Sequence, residues 1–224
     1  MPSCMIHLHA AQLLREGRGA LFCLGAVAPD AIEDWRVKDR THLRDVPDRA
    51  AALAEIARET DPRDDFAEGV LLHLYADWLW DKEQLERYWA SLGGRPEGGE
   101  WVPAYRREIS LASGWIYRHS PWARPLWEAL LAIPREQYGP LPGMDGDDIR
   151  AYLTRNFKWH EEHKGPPSAF YPPEEAEAFV VGAAEGYGKW RGTSSVSPRL
   201  TAPSKELGDF QPPVELYGRI STSA

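Results

Sequence analysis

The 224-residue sequence predicts an all-α protein built as one multi-helical domain. Three observations carry that reading. Apolar residues recur at three- and four-residue spacing in most of the segments that glycines and prolines mark off. Runs of strict apolar–polar alternation are scarce, which argues against a Rossmann or barrel architecture. Hydrophobic residues make up 43% of the chain, enough at this length to build a large core.

The elements follow in order. A first amphipathic helix is expected from about Met5 to Arg15, closed by Gly17 and Gly19. The apolar stretch GALFCLGAVAPD is short and punctuated by glycine, and reads equally as a buried strand or a short core helix. Pro29–Asp30 marks a turn, with Asp30 suited to capping the segment after it. Residues Trp35 to Asp45 are charged and irregular, which places His42 on a loop. Pro47 opens a helix through about Glu59. Asp61, Pro62 and Asp64 punctuate the start of a long helix from Asp65 to Leu92, ended by Gly93–Gly94. Further helices are expected near Val102–Tyr117, Trp122–Ala132, Asp147–His163 and Pro173–Trp190. The domain therefore spans residues 1–191. Residues 192–224, rich in Ser, Thr and Pro, read as an extended or disordered tail.

Charge and cysteine content narrow the function. The formal charge of −8 disfavours binding to duplex nucleic acid, where basic surfaces supply most of the affinity. Two cysteines, Cys4 and Cys23, give neither a disulfide framework nor a CxxC metal motif. Free thiols suit a reducing compartment, and no basic-then-apolar leader or transmembrane run occurs, so a cytoplasmic location is expected. There is no GxSxG elbow, P-loop or GxGxxG, and so no motif for an organic cofactor.

The chemistry-bearing pattern is HLYAD. His73 and Asp77 lie four residues apart inside an apolar helix, on one face of it. Burying either unpaired is costly. A hydrogen-bonded core pair satisfies both, and so does a divalent metal supplied with more ligands. His7, Asp30 and His42 offer those ligands upstream, although His7 alone also reads as a packing histidine and Asp30 as a helix cap. His9 points about 200° around the helix from His7 and is not expected to share its metal. Arg36, Lys38, Arg40 and Arg44 surround His42, either as an ordinary solvated surface or as groups that meet a phosphate.

Four pieces in order, MPSCMIHL, FCLGAVAPDAI, DRTHLRD and HLYADWLWD, resemble the bacterial zinc-dependent phospholipase C family, in particular its small members without a signal peptide. The resemblance covers about residues 1–85. It implies an all-helical fold shared with secreted phospholipases C and single-strand-specific nucleases, and a zinc cluster that activates water to cleave phosphodiesters. It assigns His7, Asp30, His42, His73 and Asp77 as metal ligands. This chain departs from the secreted enzymes in two places. They ligate a metal with the mature N-terminal amine and with a histidine shortly after the HxxxD aspartate; here Met1–Pro2 precede His7, and Asp81, Lys82 and Glu83 follow Asp77. Their later HxxxE element has its nearest counterpart in His160–Glu161–Glu162–His163, where His160 and His163 form a candidate additional metal pair or, alternatively, exposed histidines at a helix end. The expected metal count is one or two.

The expectation is a metal-dependent hydrolase, phospholipase C-like, acting on a small-molecule or lipid phosphoester. Asp30 is the candidate catalytic carboxylate that orients the water or takes its proton. Zinc is the expected ion, with manganese or iron also compatible with His and Asp ligands. The alternative is a non-catalytic, metal-stabilised helical binding module.

Overall fold

A computed structural model describes residues 2–194, and they form an all-helical domain. Its α-helices are α1 (Cys4–Leu14), α2 (Ala20–Gly25), α3 (Trp35–Thr41), α4 (Arg49–Glu59), α5 (Asp65–Trp80), α6 (Glu86–Ser91), α7 (Val102–His119), α8 (Ala123–Ala132), α9 (Gly146–Glu162) and α10 (Pro173–Ser194). A 3-10 turn, Ala28–Ala31, follows α2, and a π-helical segment, Asp81–Leu85, joins α5 to α6. Among the described residues there is no β-strand, and no helix is long and apolar enough to cross a membrane. The tail expected over residues 192–224 lies outside the described residues from 195 onward, while α10 runs to Ser194.

Helix α5 is the axis of the fold. Thirteen of its sixteen residues are buried, so it has no solvated face and packs on all sides. Helices α1, α2, α4 and α10 lie against it, while α7, α8 and α9 pack on one another and close the far side of α1 and α2. The N-terminus of α5 is capped by Asp64, which accepts from Ala67 N at 3.0 Å.

The closest approach in this packing is between α2 and α5. Gly25 and Gly69 face each other where the two helices cross. A methyl group on Gly25 would overlap the Phe66 carbonyl, and one on Gly69 would overlap the Phe22 carbonyl. Only glycine lets these two backbones meet. Gly69→Ala is expected to cost about 1–3 kcal/mol, because the obstacle is backbone and cannot rotate away. Thermal melting measures that loss, and a variant melting within 2 °C of the parent would disprove this account of the crossing.

The stretch after the 3-10 turn differs from the sequence expectation. Residues 35–41 are helical where an irregular stretch was expected, and His42 sits in the turn that caps the end of α3. Asp34 accepts from the backbone N–H groups of Arg36 and Val37 and starts the helix. Arg44 N–H then donates to the Asp39 carbonyl and Leu43 N–H to the Arg40 carbonyl, a Schellman closure. Leu43 takes the left-handed position, φ 59°, that glycine usually fills. The strain is worth roughly 1–2 kcal/mol. Burial of the Leu43 side chain offsets it, and the turn sends Arg44 back toward α5. The stretch GALFCLGAVAPD is a short core helix followed by the 3-10 turn, which resolves the strand-or-helix ambiguity.

Candidate metal centre

Five side chains from four elements converge beside the α2–α5 crossing. His7 comes from α1, Asp30 from the 3-10 turn, His42 from the end of α3, and His73 and Asp77 from α5. His42, His73 and Asp77 have no accessible surface, His7 is 1% exposed, and the Asp30 side chain is 7% exposed. Ligand atoms of His7, Asp30 and His73 lie close enough to share an ion, as do those of His42, His73 and Asp77. His73 belongs to both groups and is the centre of the cluster.

The two histidines of the second group are fixed from behind. His73 Nδ1–H donates to the Ala26 carbonyl at 2.9 Å, a contact that the close helix crossing makes available. His42 Nδ1–H donates to the Lys38 carbonyl at 2.7 Å, one turn back in its own helix. A carbonyl can only accept, so the proton sits on Nδ1 in both rings. Both Nε2 atoms then present lone pairs, and these face each other 3.1 Å apart. Two lone pairs at that distance repel unless a proton or a cation lies between them. The proton is disfavoured: burial holds His42 down at about 4 and His73 well below the ordinary histidine value. A divalent cation between them would remove the repulsion, and these buried His and Asp groups could hold one.

The donor set fits a divalent ion. Two ligands about 2.1 Å from an ion at tetrahedral or right angles sit roughly 3.0–3.4 Å apart. His42 Nε2 to His73 Nε2 is 3.1 Å, and His7 Nε2 to Asp77 Oδ1 is 3.4 Å. His42 Nε2 lies 3.9 Å from Asp30 Oδ1 and 4.0 Å from Asp77 Oδ2, slightly wider than the first two. Neither ring nitrogen of His7 has a hydrogen-bond partner in the protein, although its ring stacks on His73 at 4.0 Å. With Nδ1 unpartnered and Nε2 only 3.4 Å from the Asp77 carboxylate, the buried ring is poorly satisfied, and coordination would relieve it.

Both carboxylates are ionised. Burial alone would raise them; for Asp30, Lys38 at 2.8 Å together with His73 and His7 brings the carboxyl below its ordinary range. For Asp77, contact with His7, then His73, Arg44 and His42, has the same outcome. Lys38 and Arg44 therefore act as fixed counter-charges to the ligand carboxylates. Arg44 Nη2 lies 3.2 Å from Asp77 Oδ2, and its Nε donates to Asp81 Oδ2 at 3.0 Å. Arg49 Nη1 donates to the same Asp81 oxygen at 2.8 Å. Asp81 and Arg49 were missed by the sequence reading. Asp81 was available to it: His73, Asp77 and Asp81 form an i, i+4, i+8 row on α5 and its π-helical continuation.

His160 and His163 do not converge. His160 is buried, with Nδ1–H donating to the Asn156 carbonyl at 2.7 Å and Nε2 accepting from Ser113 Oγ at 2.9 Å. His163 is an exposed cap at the end of α9, with its ring stacked on Trp159 at 4.1 Å. The spacing expectation of an additional metal pair is corrected on that ground: one ring is saturated inside the core and the other lies outside it. His9 is likewise turned away, toward Glu177 and Trp122. Cys23 is buried and pushed up to about 11, chiefly by burial, which leaves it an inert thiol.

His160 carries a pH prediction. Burial lowers it to about 4 from an unfolded value of 6.5. Between these two values the unfolded chain binds a proton that the folded chain refuses, so stability falls as pH drops through that window. The loss is roughly 3 kcal/mol at pH 4 relative to pH 7. Urea unfolding at pH 7 and pH 4.5 checks it, and His160→Gln should flatten that part of the profile. An unchanged slope would rule the assignment out.

The cluster opens onto a cleft of about 1110 Å³, with Asp30, Lys38, Arg44, Arg49 and Asp81 on the wall nearest it. Tyr152, Ser113 and His160 form part of another wall, and Trp89 and Trp101 lie among the aromatic lining. No protein-family model, curated protein or solved structure matches the chain.

Proposed function

We propose that the chain is a metal-dependent phosphoester hydrolase whose ligands are His7, Asp30, His42, His73 and Asp77. The observation that supports it most is the pair of facing Nε2 lone pairs, each ring locked in the ligating tautomer by a carbonyl behind it. Zinc suits this His and Asp set, and manganese or iron would be accepted by the same donors. A bound divalent ion supplies a water of lowered pKa and polarises a phosphoryl oxygen.

The chain's own residues provide the rest. Asp30 is the carboxylate shared between the cluster and the cleft, and it is ionised at neutral pH. It orients a nucleophilic water by accepting its hydrogen bond, with Lys38 paired to its Oδ1 at 2.8 Å. Arg44, held by Asp77 and Asp81, places a guanidinium at the cleft wall, where negative charge grows on a phosphoryl group. The substrate is an anionic ester small enough to enter the cleft.

The test is hydrolysis of bis-p-nitrophenyl phosphate and phosphatidylcholine after loading with zinc or manganese. Activity on at least one, lost on chelation and restored by the metal, is the expected result. Activity that survives both chelation and His73→Ala would defeat the proposal. The burial of His42, His73 and Asp77 favours one rival, a metal that only stabilises the helices. Stoichiometric metal that raises the melting temperature, with no turnover across a phosphoester panel, selects that rival.

A further inference from the structure

The walls of the cleft carry a charge opposite to that of the molecule. The whole chain is −8, yet Lys38, Arg44, Arg49, Arg95, Arg106 and Arg155 line the cleft against four acidic residues, Asp30, Asp39, Asp81 and Glu86. Three of those four carboxylates are already engaged by cations of the same walls. Lys38 holds Asp30, Arg44 holds Asp39 and Asp81, and Arg49 also holds Asp81. A divalent ion at the cluster would add two positive charges, one of them offset by the Asp77 carboxylate, and Arg155 is already paired with Glu33. Loaded, the cleft is net cationic on an acidic protein, and its low-dielectric walls concentrate that field.

A second observation points the same way. Arg49 is 14% exposed, and of its donors only Nη1 is used, on Asp81. Its Nε and Nη2 are buried and have no hydrogen-bond partner in the protein. Trp89 Nε1 and Ser3 Oγ, on the same walls, are also buried without partners. An indole N–H and a guanidinium fork can only donate. Leaving such groups unmatched is costly, and a ligand rich in acceptor oxygens removes the cost. Further along, Arg95 lies over the Trp89 ring at 4.8 Å, and Arg106 is exposed on the wall.

We infer that the cleft is a recognition site for a small polyanion, an organic molecule carrying a second phosphate besides the one at the metal centre, with Arg49 as the residue that reads the second anion. This rests on the hydrolase reading for the identity of the first phosphate. A zwitterionic choline ester fits poorly, because its ammonium group would meet arginines. Nucleoside and sugar bisphosphates share the required chemistry.

The test is calorimetric binding to the metal-loaded full chain, with no turnover needed. The probes are fructose 1,6-bisphosphate against fructose 6-phosphate, adenosine 3′,5′-bisphosphate against adenosine 5′-monophosphate, and glycerophosphocholine. In at least one pair the bisphosphate should bind about tenfold tighter or more, as expected for charge-assisted bonds to a guanidinium. The pair that responds distinguishes a sugar from a nucleoside carrier. Arg49→Met should erase the preference while leaving the metal content unchanged, and Arg106→Ser, on an exposed wall where folding is not at stake, should reduce it. Equal binding of mono- and bisphosphates, or tighter binding of glycerophosphocholine, overturns the inference. If Arg49→Met does not fold, an unaltered preference in Arg106→Ser and Arg49→Lys together overturns it. Bisphosphate preference without any hydrolysis would leave this inference standing and remove the hydrolase. Hydrolysis without preference would do the reverse.

Discussion

His73→Ala is expected to abolish any metal-dependent activity and to lower divalent-metal affinity by about a hundredfold or more. The magnitude follows from sharing a structural-zinc binding free energy of about 10–16 kcal/mol among roughly four ligands, about 3 kcal/mol each. His73 stands above that average because its ring serves both groups of candidate ligands, with its Nε2 at 3.1 Å from that of His42. The variant separates a metal site from a packed polar cluster. If His73 were only a packing residue, the mutation would destabilise the protein equally with and without metal. If it is a ligand, the metal-free protein loses only the packing of the buried ring and its bond to the Ala26 carbonyl, partly offset by removal of the facing lone pair. The metal-loaded protein loses the whole increment. For the parent, metal at a thousandfold over its dissociation constant adds about 4 kcal/mol of stability. That is roughly 8–16 °C in a domain of this size. The measurement is the melting temperature of parent and variant, each with chelator and with zinc. A zinc-induced rise of the same size in both would show that His73 holds no metal.

The pair on α5 was legible because four-residue spacing survives any packing arrangement. His73 and Asp77 share a face whatever surrounds them. Convergence with His7, Asp30 and His42 was suggested by the resemblance of their local sequences, but the distances depend on the Gly25–Gly69 crossing. Single glycines in two separate apolar runs carry no mark of facing each other. Helix α3 went unread for a physical reason. WRVKDRT has no apolar stripe, its start is set by the Asp34 cap, and its end uses Leu43 where a glycine would have signalled the closure. The long helix expected from Asp65 to Leu92 is real in outline, but it is interrupted by the π-helical segment at Asp81–Leu85, which local propensity does not encode. His160 and His163 failed for the opposite reason. Their three-residue spacing permits convergence, yet Ser113 and the Asn156 carbonyl saturate one ring while the other ends the helix in solvent.

The other large effect lies one residue from that glycine crossing. Glu68 is fully buried on α5. Arg191 of α10 donates to its Oε1 from Nε at 2.8 Å and approaches it with Nη2 at 2.6 Å. Tyr187 OH lies 3.1 Å from Oε2, and Arg18 Nη2 lies 3.3 Å from the same oxygen. Arg191 also donates to the Ala57 and Thr60 carbonyls at the end of α4. One carboxylate thus ties α5, α10, α4 and the loop after α1 together. Such a buried network is weak evidence of net stability, since an apolar replacement of every member can do as well. Breaking it at one member is different: Glu68→Ala leaves two guanidiniums facing an apolar gap. The expected cost is about 3–5 kcal/mol, a drop of roughly 6–20 °C in melting temperature. Glu68→Gln should fall between parent and alanine, since the amide oxygen still accepts from Arg191 but the charge is gone. Because no candidate ligand is touched, zinc should restore part of the Glu68→Ala loss by mass action, which it cannot do for His73→Ala. A Glu68→Ala protein that melts with the parent would mean that α10 is held by its apolar face alone, with Val180, Ala183 and Tyr187 sufficient to dock it.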